Sequence, residues 1–128
     1  MTAEFAFLRG NSYPVPFVEL TVGSDESQAF ITLWAQLDTG ADRSVIPIYL
    51  ADDLGLSIFG EAEFQTADGF LTTLRLYQVT LTIESFEPEL VTVAASENEP
   101  HMLLGRDVSH RFRIVLDGPI ETLRIERD

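Results

Sequence analysis

Cysteine is absent from this chain of 128 residues, and so are long apolar runs. Without cysteine the protein forms no disulfide and has no thiolate chemistry, so we expect a reducing, cytoplasmic location. No stretch approaches the ~20 apolar residues that cross a membrane. Residues 1–5 also lack the basic start and the apolar segment of a signal peptide. We therefore expect no association with a membrane.

Positive charge is scarce, because 8 basic residues, all arginine, stand against 21 acidic ones and give a net charge of -13. Such a surface repels phosphate groups, which excludes nucleic acid as a partner. The two histidines are too few for a metal site, and no His-Glu-x-x-His motif is present. Serine-hydrolase and phosphate-binding glycine motifs are missing too. The sequence predicts no metal and no cofactor.

Short stretches of alternating apolar and polar residues, separated by Gly, Pro and Asp, make up most of the chain. An apolar content of 45 % is typical of a globular protein, and we predict one domain over residues 1–128. The alternation predicts a mainly β fold with one or two short helices. Strands are expected at 4–8, 17–22, 29–37, 61–66, 70–83, 90–95, 113–116 and 122–126, and helices at 47–55 and 107–112.

The strand predicted at residues 29–37 ends on a carboxylate, followed by Thr39, Gly40 and Ala41. An aspartate at the end of a buried strand, here Asp38, is costly unless it is hydrogen-bonded or used in chemistry. A threonine beside it supplies a hydroxyl, and a glycine permits close approach of the backbone. The same residue types also form ordinary turns, so this stretch alone fits either an active-site turn or a plain strand end.

A second stretch, His-Met-Leu-Leu-Gly-Arg-Asp at residues 101–107, places three apolar residues before a glycine and a charged pair. In their order and separation, the two stretches resemble the two signatures of the retropepsins, the retroviral-type aspartic proteases. The resemblance covers nearly the whole chain. It implies a closed, β-barrel-like acid protease fold of a single lobe that hydrolyses peptide or protein substrates.

Aspartic proteolysis needs two adjacent carboxylates that share one proton, one acting on water and the other on the scissile carbonyl. This sequence has one such turn, because the later Asp117-Gly118-Pro119 lacks the hydroxyl residue and has proline after the glycine. The second Asp38 must then come from a second chain, which predicts a C₂ homodimer. By resemblance, residues 5–8 and 123–126 are expected to pair with the partner's termini.

The resemblance assigns roles to the residues that follow the catalytic aspartate. Thr39 is expected to bond to the partner's turn, Gly40 to contact the substrate through its backbone, and Ala41 to pack beneath. Arg43 departs from the family, in which an acidic residue often stands at this position.

The second signature is expected to support the first from behind. By resemblance, Leu104 and Gly105 lie behind the turn, where the glycine lets the C-terminal helix approach. Asp42 and Arg106 match positions that form an ion pair in the family. For each of these two residues separately, a solvated surface position is the alternative.

Residues 64–70 occupy the place of the family's flap, the hairpin that closes over the substrate. Its predicted binding residues are Thr66, Ala67, Asp68, Gly69 and Phe70. Backbone groups at the tip would extend the substrate strand by β-augmentation, and Gly69 would give the tip mobility. Asp68 departs from the glycines and apolar residues usual there, and an ordinary hairpin is the alternative.

We interpret the chain as a homodimeric retropepsin-like aspartic endopeptidase. One alternative is a module of the same fold that binds peptides or dimerises without proteolysis, and another is a β-barrel in which the signatures are coincidental. The intact Asp38-Thr39-Gly40 favours the enzyme, because an inactive site has no need for a carboxylate pair. Elsewhere we expect Trp34 in the core, and Ser44 and Ser109 at helix starts or on the surface.

Overall fold

The computed structural model describes residues 1–9, 13–66 and 68–128. In these ranges the strands are β1 (Thr2–Ala6), β2 (Phe17–Ser24), β3 (Phe30–Leu37), β4 (Val45–Pro47), β5 (Gly60–Gln65), β6 (Leu71–Thr82), β7 (Glu89–Ser96), β8 (Met102–Leu104), β9 (Arg113–Asp117) and β10 (Thr122–Glu126). The helices are α1 (Ile48–Asp53) and α2 (Arg106–Ser109). The prediction of a mainly β fold with two short helices is confirmed. No helix in the described part of the chain is long and apolar enough to cross a membrane.

Six strands close into a barrel in the order β2-β3-β8-β4-β7-β6, because β6 also pairs with β2. Strand β5 pairs with β6 outside this ring, so the β5–β6 hairpin projects from the barrel. Closure leaves the ring itself without exposed strand edges. The barrel implied by the resemblance is confirmed, and β2 and β3 form an antiparallel hairpin.

Alternation along the strands separates the interior of the barrel from its surface. On β2, Val18, Leu20 and Val22 are buried while Glu19 is exposed. Full burial of such side chains stabilises the fold by roughly 1.5–3 kcal/mol each. The expectation that Trp34 lies in the core is wrong, because this residue is 38 % exposed. Its neighbour Ala35 points into the core, so the indole must lie on the outer face.

Helix α1 lies within the range that the sequence predicts for it, 47–55, but is shorter at both ends. Pro47 precedes it with an extended backbone, and the chain leaves the helix through Gly55 at φ 64°, a left-handed conformation that favours glycine. Leu50 and Ala51 face the core. Strand β4, directly before the helix, was not predicted, because three residues are too few for a periodic pattern.

The two terminal strands pair with each other within the chain. β1 runs antiparallel to β10, and β10 runs antiparallel to β9. Phe5 of β1 and Leu123 of β10 are buried in the core of the same chain. Residues 123–126 have a neighbouring strand on both edges within the chain, which does not fit their predicted pairing with the partner's termini, whereas β1 keeps one edge unpaired in this sheet, so the pairing of residues 5–8 with the partner stays a prediction. In this described sheet, β1 and β9 are the outer strands.

Glu89, at the start of β7, connects two arginines near the C-terminus. Its carboxylate accepts hydrogen bonds from Arg127 and from Arg111, the latter at 3.2 Å. The Arg127 guanidinium lies 4.5 Å from the ring centre of Phe112. The hydrogen bond from Arg127 is the main cause that holds the pKa of Glu89 below its ordinary value, and Arg111 acts in the same direction.

This lowered pKa predicts an acid-dependent loss of stability. A carboxylate with a depressed folded-state pKa stabilises the fold above its unfolded pKa, and that contribution disappears as the pH falls through the folded pKa. Glu89→Gln should lower the free energy of unfolding by about 1 kcal/mol at pH 7. The difference from wild type should shrink toward pH 3. Urea unfolding at both pH values measures it, with the exposed Glu87→Gln as control. An equal loss at both pH values would contradict the prediction.

Candidate active site

Two strands bring the two signature stretches to one place. β3 and β8 lie side by side in parallel, with Leu37 opposite Leu104. The backbone N–H of Asp38 donates to the Leu104 carbonyl oxygen at 2.9 Å, which extends this pairing to the aspartate itself. Because parallel strands end at the same edge of a sheet, residues 38–43 meet the start of α2.

The Asp38 carboxylate lies at a tight turn. Its Oδ1 accepts the Gly40 N–H at 3.1 Å, and its backbone carbonyl accepts the Ala41 N–H at 3.2 Å. Asp38 is half-buried, whereas Thr39 and Gly40 are exposed on this single chain. A hydrogen bond from a backbone N–H stabilises the ionised carboxylate and fixes its orientation. The turn therefore places the Asp38 carboxylate at the surface of the chain in an orientation that the Gly40 N–H fixes.

Helix α2 supports the turn from behind through its free N–H groups. Arg106 N–H donates to the Ala41 carbonyl oxygen at 2.9 Å, and Asp107 N–H donates to that of Asp42 at 3.3 Å. The first N–H groups of a helix have no partner inside the helix, so the loop carbonyls satisfy them. A Cβ atom on Gly105 would lie 2.7 Å from the carbonyl carbon of Arg43. Only glycine permits this approach.

The predicted ion pair of Asp42 with Arg106 does not form. Arg106 Nη1 instead donates to the backbone carbonyl oxygen of Thr39 at 2.8 Å. Asp42 has an exposed side chain and takes part in none of the salt bridges among the described residues. Arg106 therefore supports the turn, as the resemblance implies. It does so through the backbone carbonyl oxygen of Thr39 and not through the Asp42 carboxylate.

The sequence-based expectation that Ser44 lies at a helix start or on the surface is wrong. Its side chain is fully buried, and its hydroxyl donates to Asp107 Oδ1 at 2.7 Å while accepting the Gly105 N–H at 3.0 Å. The Ser44 N–H donates to both oxygens of the same carboxylate at 3.0 Å. Ser109 is buried as well. The sequence signal for this buried contact was a serine six residues after Asp38, together with the acidic Asp107 directly after the Gly-Arg pair.

A cleft of about 520 Å³ lies between the turn and the β5 arm of the projecting hairpin. Arg43 lines it, and its Nη1 donates to the Thr92 carbonyl oxygen at 3.2 Å. The lining residues are Gly40, Ala41, Asp42, Arg43, Val45, Ala62, Glu63, Phe64, Gln65 and Arg106. A strand arm facing a carboxylate turn across an open cleft is suited to holding an extended peptide.

The tip of the hairpin contains the predicted flap residues, of which Ala67 lies outside the described residues. Thr66 N–H donates to the Phe70 carbonyl oxygen at 2.8 Å, and Gly69 adopts φ 89°. The Thr66 hydroxyl donates to the Asp68 carboxylate and lowers the pKa of that exposed group. Phe70 is 71 % exposed. These residues form the tip, whereas the cleft is lined by the preceding arm.

The barrel, the carboxylate turn and the projecting hairpin together define the single-lobe fold of the retropepsin-like aspartic proteases. A retropepsin-like aspartic protease from Rickettsia conorii superposes with a TM-score of 0.67 at 14 % identity, covering 98 % of this chain and 91 % of that one. The EIAV protease complexed with the inhibitor HBY-793 gives 0.62 at 19 % identity, with 81 % and 93 % covered. The aspartyl protease family model matches residues 18–108, and the chain belongs to that family. No curated protein sequence matches significantly.

Substitution of Gly105 tests the contact between helix and turn. Gly105→Ala should destabilise the protein by about 3 kcal/mol or more, because backbone atoms of the loop must move to admit the methyl group. Gly118→Ala is the matched control, since a Cβ atom there meets nothing within 4 Å. Thermal and urea unfolding of both variants measures the difference. Equal stability of the two variants would show that the loop accommodates the methyl group.

Proposed function

We propose that this protein is a homodimeric aspartic endopeptidase in which the two Asp38 carboxylates, one from each chain, activate a water molecule. The observation that carries the proposal is the Asp38 turn, whose carboxylate is fixed by a backbone N–H yet faces an open surface. Membership of the aspartyl protease family supports it. The substrate is a peptide or protein segment in extended conformation.

The chemistry requires the two carboxylates to share one proton. One acts as base on the bound water, and the other donates its proton to the scissile carbonyl oxygen as the tetrahedral intermediate forms. The carboxyl group that took the proton from water then gives it to the leaving amine as the C–N bond breaks. The other carboxylate takes a proton back from a hydroxyl of the intermediate. Backbone groups of Gly40 and of the β5 arm would hold the peptide across the cleft. No metal or cofactor takes part in this scheme.

The second chain would complete the site at the exposed face of the turn. Thr39 is exposed and stands beside Asp38, where its hydroxyl would bond to the partner's turn and keep the two carboxylates coplanar. Since the terminal strands pair within the chain, contacts of the dimer would come from this turn and from the outer strands β1 and β9. A cytoplasmic location belongs to the same proposal, on the basis of the cysteine-free sequence.

Replacement of the catalytic carboxylate is the first test. Asp38→Asn should abolish peptide hydrolysis, because the amide cannot share the proton. The fold should be unchanged or more stable, since the substitution removes the repulsion between two closely placed carboxyl groups from the dimer. Cleavage of a peptide library, with Asp117→Asn as a control at the other Asp-Gly turn, measures the loss. Hydrolysis that survives in Asp38→Asn would contradict the assignment. A folded wild type that binds peptides without cleaving them would favour the binding module.

Mixing the two forms tests whether one site needs two chains. If Asp38→Asn exchanges freely with an equal amount of wild type, about one quarter of the dimers retain both carboxylates, so activity per wild-type chain should fall to about half. Adding the same amount of inert protein should leave that activity unchanged. Specific activity should also fall on dilution and recover with moderate salt, which screens the repulsion between two chains of charge -13. Activity unaffected by the variant and by dilution would indicate a single-chain site.

A further inference from the structure

The face of the sheet that carries Asp38 also carries a polar pair. Residues of β3 alternate between the two faces, and Ala35 and Leu37 are buried in the core. Gln36 therefore lies on the opposite face. Because the strand pairing continues through Asp38, the catalytic carboxylate two residues further on shares the face of Gln36.

The neighbouring strand contributes the second member of the pair. On β8, Met102 and Leu104 are buried, so Leu103 and, by the same alternation, the preceding His101 lie on the face of the carboxylate. Leu103 stands opposite Gln36 in the register of the two strands. Gln36 and His101 thus lie on the face that carries Asp38, Gln36 two residues before the aspartate and His101 two residues before Leu103 on the neighbouring strand.

A short hydrogen bond holds the two side chains together. His101 Nε2 lies 2.6 Å from Gln36 Oε1, and the amide oxygen, an acceptor, assigns the proton to the imidazole nitrogen. The His101 ring also packs on Phe17 with a centre-to-centre distance of 5.2 Å, and Phe17 stands opposite Gln36 across β2 and β3. All three side chains are partly exposed. The pair is therefore oriented before any substrate binds.

The pair still has hydrogen-bonding groups to offer. The bond between them uses the amide oxygen and Nε2, which leaves the two amide N–H donors of Gln36 and, in this tautomer, Nδ1 of His101 as an acceptor. No polar side-chain atom among the described residues is both buried and without a partner. These donor and acceptor atoms are therefore accessible to solvent. A substrate side chain at this place would meet the two Gln36 donors and the His101 acceptor.

We propose that Gln36 and His101 form a polar specificity pocket beside Asp38, which selects an uncharged amide side chain, asparagine or glutamine, next to the scissile bond. This proposal rests on the proposed function. An amide offers an acceptor to Gln36 and a donor to His101, which neither a carboxylate nor an ammonium group does. A carboxylate would also be repelled by the net charge of -13 and by the catalytic pair.

An apolar side chain in this pocket would remove the Gln36 amide from water without giving it a partner. A buried donor left unpaired is costly, and sites built to hydrogen-bond reject analogues that lack the group. Wild type should therefore cleave a peptide with glutamine at the residue flanking the scissile bond at least about tenfold faster, in kcat/KM, than the same peptide with leucine.

The test compares matched glutamine and leucine peptides, placed on either side of the scissile bond, in wild type and in two pocket variants. In Gln36→Met and His101→Leu the preference for glutamine should fall to about one or reverse, because an apolar pocket no longer leaves a donor unpaired. Thr32→Val is the control, since Thr32 lies on the same face of β3 and bonds to Thr21 away from Asp38. A wild-type preference for leucine, or a glutamine preference that persists in Gln36→Met, would overturn the proposal.

Binding of the same peptides to Asp38→Asn, measured by calorimetry, separates this proposal from the proposed function. Tighter binding of the glutamine peptide that depends on Gln36 supports the pocket even if wild type cleaves neither peptide. Cleavage that depends on Asp38 but is equal for both peptides overturns the pocket and leaves the protease assignment intact. Equal binding, or no binding of either peptide, also overturns the pocket.

Discussion

Gly105 lies so close to the backbone of the loop after Asp38 that no side chain fits between them. A Cβ atom at this position would lie 2.9 Å from the carbonyl oxygens of both Ala41 and Arg43. The approach lets the first N–H groups of α2 reach the loop carbonyls, so that the loop and the helix satisfy each other's backbone polar groups. The position of the Asp38 carboxylate relative to the barrel depends on this contact, because the loop itself has few apolar side chains with which to anchor.

The buried Ser44 reinforces that contact with a charged partner. Its hydroxyl connects the Gly105 N–H to the Asp107 carboxylate, so one side chain joins the end of the loop, the end of β8 and the start of α2. An acid in the first turn of a helix is also favoured by the helix dipole. The inner face of the two signature stretches is thus held by hydrogen bonds within the chain, whereas Thr39 and Gly40 on the outer face are exposed. That division suits a site completed by a second copy.

The sequence predicts most strands and helix α1, because alternation and Pro47 with Gly55 are local signals, and the family resemblance implies the meeting of the two signatures. It does not predict which partner a side chain selects. The sequence offers Arg106 two acceptors, the Thr39 carbonyl oxygen and the Asp42 carboxylate. Only the folded geometry shows that the guanidinium bonds to Thr39. The sequence does not determine the partner of the terminal strands for a similar reason. Apolar alternation shows that they pair, but is equally satisfied by the same chain and by a partner.

Pairing of the termini within one chain has a consequence for the proposed dimer. When β1 and β10 are exchanged between subunits, folding and association become one event, and the monomer lacks part of its sheet. Here Ala3, Leu123 and Ile125 are buried in the core of a single chain, so the proposed dimer would not need an exchange of β1 and β10. Its interface would then be smaller and would form against a charge of -13 on each chain. In the proposed dimer, association would be weak and sensitive to salt, and a folded but inactive monomer is expected at low concentration.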